Sequence, residues 1–217
     1  MKTMRACPGR TPRRLLAVVL LMFLPAMSAQ AGAIDALKRF LSGTGSFSAT
    51  FSLSVQSESH SRMTHSSGRL AAQKPGKFRW EVERPDPQLI VGNGETIWIY
   101  DPDLAQVSVR KTNQAIGATP AALLAGSDAV LGNFTLREAG KEEGLTWVEA
   151  VPKTQESGFS LVRVGFTDKG ELKAMRLFDN FGQITTIRFQ DVRKNTRIPA
   201  ALFQFVPPEG VEVLESD

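Results

Sequence analysis

From Phe47 to Gln56 the chain alternates without a break: Phe47, Ala49, Phe51, Leu53 and Val55 are apolar, and the residues between them, Ser48, Thr50, Ser52, Ser54 and Gln56, are polar. A helix would scatter these side chains around its axis, whereas a strand collects every apolar one on a single face. The segment therefore commits the chain to a sheet with one buried and one solvated face.

The same period returns in Phe78, Trp80 and Val82, interleaved with Arg79, Glu81 and Glu83. Asn93-Gly94, between Leu89-Ile90-Val91 and Ile97-Trp98-Ile99-Tyr100, predicts a hairpin with a type I′ turn, and Asp101-Pro102-Asp103 turns the chain into a fourth strand over 106–110. Further strands are expected at 62–72, 134–138, 145–151, 159–166, 171–178, 183–190 and 202–206. They are separated by turn signals such as Glu143-Gly144, Asp168-Lys169-Gly170 and Asn180-Phe181-Gly182. The expectation is about eleven antiparallel strands, a mainly β fold.

Helical signals are few. Residues 32–41 place Ile34, Leu37, Phe40 and Leu41 on one face, with Asp35 near the start and Lys38-Arg39 near the end. Thr119-Pro120 followed by Ala121-Ala122-Leu123-Leu124-Ala125 and Gly126 predicts a capped but very short helix, and 127–131 a second turn. A helix of that length is not stable alone and must pack on the sheet. The two helices would plug the open side of a strongly curved sheet.

Residues 1–31 carry the marks of a secretory signal: a start bearing Lys2, Arg5, Arg10, Arg13 and Arg14, an apolar run from Leu15 to Leu24, and Ala29-Gln30-Ala31 as a small-x-small cleavage site. The run is shorter than the roughly 20 residues that span a bilayer. Cys7, the one cysteine, precedes the apolar run, so it is not placed to carry a lipid at the cleavage site. Residues 32–217 are then expected as a single domain, released in soluble form and without a thiol. Removing the leader's five basic residues turns a formal net charge of +4 into about −1, which argues against a nucleic-acid binder. A transmembrane barrel is disfavoured by Glu149, Arg163, Lys173, Arg176 and Arg188 in mid-strand.

No catalytic grouping stands out. His60 and His65 are expected in a solvated hairpin without a third metal ligand, there is no Gly-x-Ser-x-Gly elbow, and Glu142-Glu143 and Asp101/Asp103 fall in turns. No metal or other cofactor and no enzymatic activity are expected. What the sequence has in excess is large apolar surface: Phe47, Phe51, Phe78, Trp80, Trp98, Trp147, Phe159, Phe166, Phe178 and Phe189, most of them on one inner face. A single sheet with only short helices over it leaves an apolar concavity, and such a concavity is a ligand site.

The order Lys74-Pro75, Phe78-Arg79-Trp80, Val91-Gly92-Asn93-Gly94, Ile97-Trp98-Ile99-Tyr100-Asp101-Pro102 and Gln106-Val107-Ser108-Val109-Arg110 resembles the LolA family, the outer-membrane lipoprotein carriers of Gram-negative periplasms. Phe203-Gln204-Phe205-Val206-Pro207-Pro208-Glu209-Gly210-Val211 is similar to the family's closing strand and turn. The resemblance implies an incomplete, strongly curved antiparallel barrel with a lid of short helices. It further implies a monomeric periplasmic carrier that takes acylated lipoproteins from an inner-membrane releasing transporter (LolCDE-like) and delivers them to an outer-membrane receptor (LolB-like). By the same resemblance Leu41, Phe47, Phe78 and Trp80 line the lipid cavity, and Pro120, Ala121, Leu123 and Leu124 form the lid. Lys74 stands where the family has an arginine that latches the lid; lysine keeps the charge but offers a point ammonium in place of a planar fork. Two other readings of a similar fold are a carrier of a different acylated cargo and a lipid-sensing periplasmic regulator of RseB-like fold.

Overall fold

A computed structural model describes residues 32–57, 60–111, 120–126, 131–154 and 158–215. The segment 1–31, Thr119 and residues 127–130 of the second helical turn lie outside the described residues. The described residues open with helix α1 (Ala33–Gly43), whose Ala33, Ala36, Leu37, Phe40 and Leu41 form one buried stripe. Strands β1 (Ser46–Ser57), β2 (His60–Gln73), β3 (Lys77–Arg84), β4 (Gln88–Asn93), β5 (Thr96–Asp101) and β6 (Gln106–Lys111) follow as a meander. Helix α2 (Pro120–Ala125) interrupts. Strands β7 (Phe134–Glu142), β8 (Leu145–Pro152), β9 (Phe159–Phe166), β10 (Leu172–Asp179) and β11 (Gln183–Lys194) make a second meander, and β12 (Glu212–Glu215) comes last.

All twelve strands lie in one sheet, in the order β12-β6-β5-β4-β3-β2-β1-β11-β10-β9-β8-β7. The meanders join through β1 and β11, antiparallel from Phe47 opposite Lys194 to Ser57 opposite Gln183. β7 and β12 do not pair with each other, so the barrel is incomplete, as expected. The alternation of β1 comes out as read: Phe47, Ala49 and Phe51 are buried inward while the residues between them face outward.

Three expectations need correcting. The strand expected at 202–206 is a 3₁₀ turn (Ala200–Phe203) followed by irregular chain, because Pro199, Pro207 and Pro208 supply no N–H for a ladder. The twelfth strand is instead Glu212–Glu215, and it runs parallel to β6, the one exception to an otherwise antiparallel sheet. At the β4–β5 hairpin the two loop residues are Gly94 and Glu95, since Gly92 already pairs with Ile97. Only Gly94 takes a positive φ (103°), which fits a type II′ turn rather than I′. Asn93 acts through its side chain, whose Oδ1 accepts from the amides of Glu95 (2.9 Å) and Thr96 (2.8 Å). The Glu143-Gly144 turn has both φ values positive, 52° and 74°, and carries the I′ geometry.

The concave face and both helices share one apolar core. Most of the ten large aromatics line this core, as expected, while Trp98, Trp147 and Phe178 face the opposite way. Trp147 lies with Leu145 and Ala174 in a small outer cluster under the Arg176 guanidinium, 4.6 Å from the ring centre. Arg163 covers Phe178 at 5.6 Å. Trp98 and Tyr100 meet Phe205 at 6.4 and 5.7 Å, so the chain after β11 crosses the convex face as a strap. The alternation in these strands is apolar on both faces, which hides their direction from a sequence reading.

Candidate functional site

The concave wall is built by inward positions of neighbouring strands brought into register. Ala72 stands opposite both Phe47 and Phe78, and Leu70 opposite both Ala49 and Trp80. The Phe51 ring stacks on Trp80, centroids 3.9 Å apart and planes 19° from parallel. Two glycines make this fit possible. A Cβ on Gly68 would lie 1.9 Å from the Glu81 carbonyl oxygen and 2.8 Å from the Phe51 ring, and one on Gly92 would meet the Phe78 ring at 2.5 Å.

The helices fill the concavity from two sides. α1 rests on β7, β8 and β9, and its Phe40 meets Phe47 edge-on at 5.4 Å and Phe166 at 6.4 Å. α2 rests on β2 and β3, with Ala121, Leu123 and Leu124 buried against the wall. The structure thus brings Leu41, Phe47, Phe78, Trp80, Ala121, Leu123 and Leu124 into one cluster. Pro120 begins α2, with its side chain outside the described residues.

Lys74 sits in the turn between β2 and β3, where it touches α1. Its Nζ donates to the Leu41 carbonyl, and its amide donates to Gly45 O at 2.8 Å. Two residues on, the Gly76 amide donates to Ala125 O at the end of α2 (3.1 Å). One short turn therefore holds the C-terminal ends of both helices, and cations and amides suit those ends because unsatisfied carbonyls gather there.

The sequence reading missed what fixes the other end of α1. Gly32 offers no side-chain cap, and Glu138 of β7 supplies one from a distance, its carboxylate accepting from the amides of Ala33 (2.9 Å) and Ile34 (3.0 Å). Asn195, with a positive φ of 56°, bonds both Gly43 O (3.0 Å) and Gly45 N (2.8 Å). No local pattern announces a cap that comes from more than a hundred residues away.

At the end of the sheet away from the Lys74 turn the wall opens. Burial along β3 falls from Phe78 (0% exposed) through Trp80 (4%) to the half-buried Val82. There a cavity of about 540 Å³ is lined by apolar Leu53, Trp80, Val82, Ile90, Phe159 and Leu177 together with polar Ser66, Gln88 and Thr185 and the carboxylates of Asp86, Asp101 and Asp103. That size and lining suit an apolar guest. Among the described residues no group of three or more His, Cys, Asp or Glu is placed to hold a metal ion.

The sequence profile of the family "Outer membrane lipoprotein carrier protein LolA" matches residues 42–206. The chain belongs to the LolA family. An outer-membrane lipoprotein carrier protein of Dechloromonas aromatica (strain RCB) is 50% identical over 202 residues, covering 93% of this chain and 96% of that one. One from Nitrosospira multiformis is 47% identical over 197 residues, covering 91% and 95%. An uncharacterized conserved protein from Thermus thermophilus has a similar fold, with a TM-score of 0.52 at 13% identity, covering 85% of this chain and 97% of that one. The matched range takes in Phe47, Phe78, Trp80 and α2, and the regulator and other-cargo readings are not favoured.

Proposed function

We propose that the chain is a periplasmic carrier that shields the acyl chains of lipoproteins on its concave face between the two membranes of the cell. The observation that supports this reading is an apolar wall continuous from an interior covered by α1 and α2 to an open mouth with apolar residues among its lining. An acyl chain in water costs ~0.8 kcal/mol for each exposed methylene, so transfer across an aqueous space needs such a wall. Wall residues Leu41, Phe47, Phe78 and Trp80 would receive the chain. The lid, Pro120, Ala121, Leu123 and Leu124, would give way to it, and Lys74 would steady the closed form.

The mechanism is a competition for one surface. α2 is six residues long and draws its order from the wall it covers. Cargo entering at Val82 and Trp80 displaces that packing and replaces it with its own, so loading and lid opening are one exchange with a small net free energy. A small net value permits release. In this reading residues 1–31 are removed as a signal, residues 32–217 work as one monomeric domain, and a LolCDE-like transporter and a LolB-like receptor are donor and acceptor.

The test uses protein recovered from the periplasm. Mass analysis is expected to find Gly32 at the N-terminus and an acylated protein in the eluate. The emptied protein is expected to bind an environment-sensitive apolar dye that purified lipoprotein then displaces. Dye binding that appears only on unfolding would show that the wall is an ordinary core.

A further inference from the structure

On the convex side of the sheet, opposite the lipid wall, lies a second cavity of about 570 Å³. Strand register builds it. One cross-strand row reads Arg193, Ser48, Ala71, Arg79, and the next reads Gln190, Thr50, Arg69, Glu81. Ser48 and Ala71 are short, so the surface is dished between two arginines, with Arg69 one row behind. Leu202, in the strap that crosses this face, closes the dish from above.

The charges inside are unequal. Three guanidiniums share the cavity with two carboxylates, Glu81 and Asp191. Arg69 pairs with Glu83 at 2.6 Å, outside the lining, and Arg79 makes a long contact of 3.3 Å to Glu81. Thr50 donates to Asp191 at 3.4 Å. Arg193 has no ion pair and Ser48 Oγ no hydrogen bond among the described residues, and the two stand opposite each other in the register. An uncommitted guanidinium and an uncommitted hydroxyl stand over a small-residue floor, and with Arg69 and Arg79 the guanidiniums of the cavity outnumber its two carboxylates.

We propose that this cavity binds a phosphoester, its phosphate held among Arg193, Arg79 and Arg69 with Ser48 as a hydroxyl donor. A carboxylate presents two oxygens in one plane, which one guanidinium satisfies; a phosphate presents oxygens in three directions, which suits arginines arriving from different strands. The volume exceeds a phosphate and leaves room for a substituent the size of glycerol or ethanolamine against Leu202, with Asp191 and Glu81 able to take an ammonium. The phosphoester is either a free solute or the headgroup of a phospholipid, and the site lies on the opposite face from the acyl-binding wall, so it does not depend on that function.

Isothermal titration of the purified protein with glycerol 3-phosphate and with phosphoethanolamine tests it. One-to-one binding is expected, weakening as salt is raised. Arg193→Ala is expected to weaken it about tenfold or more, the loss of hydrogen bonds to a charged group. Arg193 is exposed, so this variant should fold, as an unchanged melting temperature would verify. Arg188→Ala, on the same face but engaged with Glu143, is the control and should leave binding unchanged. Flotation with phosphatidylglycerol vesicles separates the sources: vesicle association that glycerol 3-phosphate competes away and Arg193→Ala abolishes assigns the headgroup, and solute binding without vesicle association assigns a free phosphoester. No saturable binding of either solute, or equal loss in Arg193→Ala and Arg188→Ala, would overturn the proposal.

Discussion

Phe78 and Val82 point the same way from one strand, yet the first is fully enclosed and the second meets the open mouth. A carboxylate at Phe78 has no partner and no water, so Phe78→Glu is expected to cost several kcal/mol and lower the melting temperature by roughly 2–4 °C for each of them. Val82→Glu can hydrate its charge at the mouth; it should melt close to the parent while losing dye and lipoprotein binding. Calorimetry and dye titration on the two variants separate wall from mouth. Gly92→Ala drives a methyl into the Phe78 ring and should destabilise by about 1–3 kcal/mol, as overpacking does, read as a lower urea midpoint. On the outer face the Arg188 hydrogen bond holds the Glu143 carboxyl below its usual value of 4.5, helped by the charges of Arg188 and Arg176. A lowered folded value means that the stabilisation is full above the ordinary carboxylate value and fades as pH falls through the lowered one. Glu143→Gln should therefore melt below the parent at neutral pH and match it in strong acid.

The two helices differ in how they are held. α1 is fixed at its start by Glu138 and at its end by Lys74 and Asn195, whereas α2 is held, among the described residues, by the Gly76–Ala125 bond and its apolar contacts. Exchange measurements should find α1 amides well protected and α2 amides opening readily. Glu138→Gln is expected to cost about 1 kcal/mol, mostly as faster exchange at Ala33 and Ile34. Lys74→Ala should speed dye entry by releasing the Leu41 carbonyl. The strands were legible because water and core impose a period of two, and their hairpins because glycine and asparagine mark them. The strap was not: Phe203-Gln204-Phe205 alternates like a strand, and only the prolines around it prevent one. Outward Trp98 and Trp147 were illegible because the convex face has apolar clusters of its own, and Glu138 because its partner lies across the fold.

At the scale of the whole molecule, every strand pairing inside each meander joins neighbours in sequence, and among the described strand pairings only β1–β11 and β12–β6 join strands distant in sequence. β12 is exposed at every residue and bonded on one side, so its amides should exchange first and those of β1 last. The same layout governs the order of assembly. Chains emerge N-terminus first, and the six strands of the first meander can pair as they appear. The outer edge of β1, twelve residues long, must wait until β11 has been made. For that interval the nascent protein presents a bare strand edge beside an unroofed greasy face, the two features that drive chains to aggregate. A protein built to keep other molecules' apolar groups out of water thus begins life needing the same service.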